Sequence, residues 1–362
     1  MLLKSLSLKN FRNFNELSLD TSAPFVVFHG DNGQGKTNLI EAICTLSTLK
    51  SFRSHRISEQ IQWGHSEAEI RGVISDEGHH RELSVRLNKS GRKALLDGKP
   101  PEQLAEYFES IRAVVFAPEH VELVRGSPQQ RRAFLDRGCF TQNPYYLHEF
   151  RSFRRLLDQR AALLRNAHFD LLLIESIEEK LAHYGARIAM KREAFIENLS
   201  GSFIDFHQAL TGSLETNLEI KSCLGKGNLE EKTAVYTDLM AKKRIEERQR
   251  GSNLVGPQRD DLLIELNGKN ARAFASQGQA RALVLSMKLA ELDLARKKGA
   301  KPLFLLDDLS SELDSKRRHC LLEILNEKTL QVFVSTTSLS VLEFPIKDSI
   351  EFQVFNGEIS PS

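Results

Sequence analysis

The sequence predicts an α/β protein: a mixed-sheet core assembled from both ends of the chain, with a helical lobe inserted between them. Three observations carry this expectation. An all-apolar run, Phe25-Val26-Val27-Phe28, ends in a glycine-rich loop that leads into a helical pattern. From Pro128 to about Gln249 glycine and proline are sparse, and long polar and apolar periodicity carries repeated Arg and Lys. Strand-like runs then return at Leu262–Leu266, Leu303–Leu306 and Gln331–Val334.

Each element follows from its local pattern. Leu2, Leu6 and Leu8 interleave with Lys4, Ser5, Ser7 and Lys9, and Leu17 and Leu19 with Ser18 and Asp20, which predicts two short strands. The run 25–28, bounded by Pro24 and Gly30, reads as a strand buried on both faces. From Thr37 to Lys50, Leu39, Ile40, Ile43, Leu46 and Leu49 recur at helical spacing. Residues 68–97 alternate between turn signals at 76–78, 89–91 and 97–98, predicting antiparallel strands, and Ala113-Val114-Val115-Phe116 is a further buried strand. The last strand, Ile350–Phe355, precedes Asn356-Gly357, a strong hairpin signal. The expected division is therefore a core of residues 1–125 and 252–362 around a lobe of residues 126–251, with no internal repeat.

Composition bounds the rest. At 362 residues the chain has room for two or three domains of ~100–200 residues, each able to bury its own core without a staple. Twenty-one phenylalanines and 41% hydrophobic residues exclude disorder over most of the chain. Cys44, Cys139, Cys223 and Cys320 lie far apart without zinc spacing, and read as buried free thiols in a reducing compartment. Lys9 and Arg12 precede any apolar stretch of signal-peptide length, and no run approaches the ~20 apolar residues of a membrane span. A cytoplasmic protein with no membrane partner is expected.

The chemistry begins at Gly30-Asp31-Asn32-Gly33-Gln34-Gly35-Lys36-Thr37, which fits G-x-x-x-x-G-K-[ST] at every fixed position and sits between strand and helix. Glycines let successive N–H groups converge on phosphate oxygens, the helix N-terminus adds its dipole, Lys36 reaches the β- and γ-phosphates, and Thr37 offers a hydroxyl to Mg²⁺. Such a loop needs a carboxylate from a neighbouring strand to hold the metal. Leu303-Phe304-Leu305-Leu306-Asp307-Asp308 supplies it, with Asp307 assigned to the metal and Asp308 to polarising a water. Ser276-Gln277-Gly278-Gln279 opens a helix on which Leu283, Met287, Ala290 and Leu294 share a face; a serine and a glycine there form either a plain N-cap or an anion site.

In this order the motifs resemble the ABC-type P-loop ATPase heads of the structural-maintenance-of-chromosomes class. Finer segments are similar to the RecF-type recombination mediators of bacteria: 8–13 (Leu-Lys-Asn-Phe-Arg-Asn), 50–53 (Lys-Ser-Phe-Arg), 116–119 (Phe-Ala-Pro-Glu), 126–128 (Gly-Ser-Pro), 131–136 (Arg-Arg-Ala-Phe-Leu-Asp), 256–261 (Gly-Pro-Gln-Arg-Asp-Asp) and 276–279. The resemblance implies that ATP and Mg²⁺ are the cofactors, and that ATP is sandwiched between two copies, the P-loop of one facing Ser276, Gly278 and Gln279 of the other. Asp314 then stands at the D-loop, Glu119 at the Q-loop position and Thr337 at the switch-histidine position. It further implies ATP-driven homodimerisation, weak DNA-stimulated ATP hydrolysis, and recombinational repair at single-strand gaps in DNA. There it would support RecA loading, replication-fork recovery and SOS induction, with RecR- and RecO-like partners.

Two departures are informative. Asp308 replaces the glutamate usual in ABC-type ATPases and is set back by ~1.5 Å, which predicts slow hydrolysis. Gln258 stands where RecF-like chains usually carry histidine, which removes any titratable role there. Only ~120 residues separate the halves of the core, too few for long coiled-coil arms at about 1.5 Å per residue. A transporter ATPase subunit and a P-loop small-molecule kinase remain as alternatives. The arginine-rich lobe entrance speaks against the first, and Ser276–Gln279 would have no role in the second.

The net charge is only +2, yet residues 125–165 hold nine arginines against three acids, a local excess of +6. This patch reads either as a contact for DNA, single-stranded or gapped duplex, through Arg131, Arg132, Arg151, Arg154 and Arg155, or as the solvated side of a core face made by Phe150, Phe153, Leu156 and Leu157. Tyr145, Tyr146, Phe150 and Phe153 would stack on bases if exposed. The basic run from Lys242 to Arg250 is diluted by Glu246 and Glu247 and reads as a solvated helix. His79 and His80 read as surface residues, and Trp63 as packing.

Overall fold

The computed structural model describes residues 1–166, 170–212, 215–326, 330–342 and 348–362. In chain order the first elements are β1 (Leu2–Phe11), β2 (Phe14–Asp20), β3 (Phe25–His29), α1 (Lys36–Thr48), β4 (Glu67–Asp76), β5 (His79–Asn88), β6 (Gly91–Leu96), α2 (Leu104–Ser110) and β7 (Ala113–Phe116). Next come α3 (Glu122–Arg125), α4 (Pro128–Gln142), α5 (Tyr146–Arg165), α6 (Leu171–Thr211), β8 (Thr216–Lys221), α7 (Leu229–Arg250), β9 (Asp261–Leu266), β10 (Lys269–Asn270) and α8 (Ala271–Phe274). The chain closes with α9 (Gln277–Lys297), β11 (Leu303–Leu306), α10 (Leu309–Glu312), α11 (Ser315–Asn326), β12 (Val332–Thr336), β13 (Ser349–Phe355) and β14 (Glu358–Pro361).

Two compact units result. The first joins Met1–Val121 to Ser276–Ser362 and takes in the end of α6 from Asp205. Its six-stranded sheet runs β14-β13-β3-β12-β11-β7, parallel except for the β13–β14 hairpin. The five-residue strand β3 and the four-residue strands β7 and β11 are buried almost throughout, as uninterrupted apolar runs in a parallel sheet must be. A second, antiparallel sheet runs β2-β1-β4-β5-β6. Helix α1 packs against strands of both sheets and is therefore buried nearly all round. The buried Gln331 amide adds a polar tie: its Oε1 accepts from Leu3 N at 2.6 Å, and its Nε2 donates to the carbonyls of Leu3, Thr21 and Ala23 at 3.1, 2.6 and 3.0 Å.

The second unit comprises Glu122–Ile204 and the stretch from β8 through Ala275. Helices α4 to α7 make up most of it, with an antiparallel sheet ordered β10-β9-β8. The expected helical lobe of 126–251 thus differs in two respects. Residues 216–221 form a strand, because Leu218 faces inward between polar neighbours and all six residues pair with β9. That pairing draws residues 252–275 into this unit, away from the core to which the sequence pattern assigned them. Trp63, read as packing, is 98% exposed at the tip of a turn closed by His65 N donating to Gln62 O. None of the cysteines forms a disulfide, and only Cys44 and Cys139 are buried; Cys223 is exposed and Cys320 half-buried. No helix among the described residues is long and apolar enough to cross a membrane.

Candidate nucleotide site

Strand β3 delivers the chain to the glycine loop at the end of the parallel sheet. Gly30, Gly33 and Gly35 adopt φ of 143°, 83° and 117°, in the positive-φ region that side-chain-bearing residues avoid. At Gly30 space is also exhausted: a Cβ would lie 2.3 Å from Val354 O. Helix α1 then starts at Gly35 with no side-chain cap and no acid in its first turn. This start contrasts with α7 and α9, whose caps, Asn228 and Ser276, each accept from a first-turn amide. An uncapped, dipole-positive helix start behind a glycine loop is built to accept an anion.

Lys36 is buried and folds back over the loop, its Nζ donating to Gly30 O at 2.7 Å and Asp31 O at 2.8 Å. Burial lowers its pKa, while Asp308, Asp307 and Asp31 pull it back up. Among the described residues it forms no ion pair, so its charge is met by carbonyl dipoles alone at close range. Asp307 lies at the end of β11, two strands from β3 in the sheet, and is buried. One oxygen, Oδ1, accepts from both Thr37 Oγ1 at 2.9 Å and Ser335 Oγ at 2.7 Å. Burial raises its pKa, and the two hydroxyls oppose the rise. A carboxylate and a threonine hydroxyl converging in this way are hard oxygen donors suited to Mg²⁺. Asp308 follows in left-handed conformation, φ 51°, at the start of α10, its N–H donating to Ser335 Oγ at 2.8 Å and its Oδ1 accepting from Ser310 at 2.9 Å.

Ser335 is the organiser that motif reading missed. The signal for it is topological: β12 lies between β3 and β11, so its end must meet both motifs. A second ring surrounds α1. Glu41, fully buried, accepts from Arg12 Nε and Nη2 at 2.8 and 2.6 Å and from Ser51 at 2.5 Å, with Arg53 Nη1 at 3.6 Å. Arg53 also reaches within 4.0 Å of Glu119, which is half-exposed on the short turn after β7. The segments 8–13, 50–53 and 116–119 therefore meet beside the P-loop helix. Thr337 lies one residue past β12 and is half-buried.

At the other motif, Ser276 caps α9: its Oγ accepts from Gln279 N at 3.2 Å and its N donates to Gln279 Oε1 at 2.8 Å. Asp314 caps α11, accepting from Arg317 N at 2.9 Å. Arg317 joins the two, its Nη1 lying 3.2 Å from Asp314 Oδ2 and 3.5 Å from Gly278 O. Neither Ser276 nor Asp314 hydrogen-bonds to the P-loop among the described residues.

The five lobe arginines divide. Arg131 is buried, forked onto Asp261 at 2.6 and 2.9 Å and donating to Gly126 O, so its side chain serves the fold and offers no free face to DNA. Arg132 donates to Asp260 O at 2.9 Å. Arg151, Arg154 and Arg155 are exposed on α5, while Phe153, Leu156 and Leu157 on the same helix are buried. Tyr146 and Phe153 are interior and cannot stack on bases; Tyr145, at 59% exposure, is the aromatic side chain of the four most open to solvent.

Comparison with known proteins places the chain in a family. Residues 2–351 match the model of the RecF/RecN/SMC N-terminal domain. The chain is similar to the DNA replication and repair protein RecF of Geobacter sulfurreducens, 39% identical with all of both chains covered. It is also similar to that of Thermosynechococcus vestitus, 39% identical over 95% of this chain and 93% of the other. A solved structure of the recombination mediator RecF with ATP in the RecFOR pathway superposes with a TM-score of 0.90 at 29% identity, covering 99% of each chain. The Smc head domain of Pyrococcus furiosus shares the fold, with a TM-score of 0.59 at 17% identity. With the family model spanning nearly the whole chain and full-length relatives close to 40% identical, the chain is a member of the RecF family, built on an ABC-type ATPase head.

Proposed function

We propose that the chain is an ATP-dependent, DNA-binding recombination mediator that works as an ATP-locked homodimer. The observation that carries this reading is the Thr37–Asp307–Ser335 constellation beside an uncapped P-loop helix. The loop N–H groups and Lys36 would bind the triphosphate, and Thr37 and Asp307 would hold Mg²⁺. The bound nucleotide and metal supply a phosphoanhydride with its charge partly neutralised for attack by water. The protein's own part is positioning. Lys36 exchanges two carbonyl oxygens for phosphate, Ser335 holds Asp307 and Asp308 in register, and Asp308 orients the water. Because Asp308 is one methylene shorter than glutamate and already accepts from Ser310, hydrolysis should be slow.

Among the described residues Ser276, Gln279 and Asp314 hydrogen-bond within their own helix caps and Gly278 to Arg317, none of them to the P-loop, which is consistent with a role toward a second copy. Arg151, Arg154 and Arg155 supply a sequence-independent phosphate contact; the near-neutral whole chain would bind DNA weakly as a monomer and better as a dimer that pairs two such faces. The reading extends to recombinational repair at DNA gaps in the cytoplasm with RecO- and RecR-like partners, and the similarity to a solved relative described as a recombination mediator in the RecFOR pathway supports it. Sedimentation with and without ATP and DNA tests the reading. The wild type should dimerise at micromolar concentration with ATP, and Lys36→Ala and Ser276→Arg should stay monomeric. A wild type that remains monomeric with both ligands, or variants that dimerise normally, would refute it.

A further inference from the structure

We propose that Gln34 is a positioning residue through which the β13–β14 turn fixes the phosphate loop in its ligand-ready shape; the proposal rests on the nucleotide-site reading above. Gln34 belongs to the motif by position, yet its side chain is committed elsewhere. Its Oε1 accepts from Asn356 N at 2.6 Å, and its carbonyl accepts from Gly357 N at 3.3 Å and from Asn13 Nδ2 at 3.2 Å. Asn13 is itself held, its Oδ1 accepting from Asn38 Nδ2 of α1 at 2.7 Å.

The sheet makes this arrangement unavoidable. Strand β13 lies parallel to β3 with Gln353 beside His29, so the two strands end at the same edge and the turn after β13 meets the loop after β3. Asn356 and Gly357, with φ of 47° and 81°, form the tight turn of the hairpin and present its amides to Gln34. A Cβ on Gly30 would strike Val354 O at 2.3 Å, and one on Gly35 would lie 2.6 Å from Asn13 Nδ2, so the loop is wedged between the two hairpin turns.

This wedge has an energetic purpose. A loop with three glycines in eight residues has more backbone freedom to lose than any other kind. Ordering it during binding would subtract from affinity, whereas ordering it during folding does not. Gln34 transfers that ordering to the fold by tying the loop to the sheet's own hairpin.

A double-mutant cycle tests the proposal. Titration with a fluorescent ATP analogue in Mg²⁺ would compare wild type, Gln34→Ala, Gly357→Val and the double variant, with thermal unfolding of each ligand-free protein in parallel. Valine at 357 is strained at φ 81°, and its Cβ would sit 3.1 Å from Asn13 O, so it pushes the turn off the loop. Each single variant should bind roughly five- to ten-fold more weakly, the size of one net hydrogen bond. The double variant should be no worse than the weaker single, since both break one connection. Affinities that are unchanged while melting temperatures fall would overturn the proposal, as would effects that multiply in the double variant. A wild type that binds no nucleotide would instead sink the nucleotide-site reading beneath it.

Discussion

The nucleotide site and the helical unit treat buried charge in opposite ways. In the helical unit the buried arginines sit among carboxylates. Arg160 is 0% exposed and donates to Glu178 at 2.7 and 2.9 Å, to Glu247 at 2.6 Å and to Asn253 at 2.7 Å. Arg192 reaches Asp136 at 2.8 Å, Asp260 at 3.1 Å and Pro257 O at 2.7 Å, and Arg131 forks onto Asp261. At the nucleotide site, Lys36 has two carbonyl oxygens where the lobe would place a carboxylate, and Asp307 has two hydroxyls where the lobe would place a guanidinium. Saturated charges hold helices together; under-compensated ones await a ligand of opposite sign.

The strongest way to break this contrast is Arg160→Met. Leaving Glu247 buried without its cation, and Glu178 with Arg244 alone at 2.6 Å, should destabilise the lobe by about 3–5 kcal/mol, read by denaturant unfolding, with little change in nucleotide affinity. Lys36→Ala, which removes a cation held by two carbonyls and by no ion pair among the described residues, should cost clearly less than that. Equal losses from the two variants would erase the distinction.

A subtler break comes from Asp260. Burial pushes its pKa up to about 6 despite Arg192 and Ser222. A carboxyl that holds its proton more tightly folded than unfolded stabilises the fold at low pH and loses that contribution as pH rises from about 4 to about 6. Wild type should therefore lose about 1–3 kcal/mol over that window relative to Asp260→Asn; parallel pH profiles for the two would refute the assignment. The smallest effect sharpens the contrast at the surface. Replacing the exposed Arg151, Arg154 and Arg155 together by alanine should leave stability unchanged, weaken DNA binding about ten-fold at low salt, and reduce the salt slope by ~2–3.

Much of the core was legible from sequence because its signals are local. Residues 25–37 announce strand, loop and helix within thirteen positions, and Leu303–Asp308 announces a strand ending in acids. Parallel strands buried on both faces leave little ambiguity in pattern. The failures share a different cause. Strand β8 hides in a helical context because its partner β9 lies 40 residues on, and Ser335 carries no motif, only a place in the strand order. The arginines at 131 and 132 look like those at 151, 154 and 155 until Asp260 and Asp261 arrive from more than 120 residues away. Local charge counting could not see those partners. Trp63 was misplaced because an indole is expected inside, and no short-range pattern marks a turn tip that holds it in solvent.

The central claim is that the core's unpaired charges are completed by nucleotide and by a second copy. Mixing Lys36→Ala with Ser276→Arg tests it most directly, because each variant alone lacks half of every composite site, while a heterodimer rebuilds one intact site from the good P-loop of one and the good signature segment of the other. The account predicts that the two proteins, each nearly inactive, recover ATP hydrolysis well above the sum of their separate rates when mixed. A mixture that hydrolyses ATP no faster than that sum would contradict it.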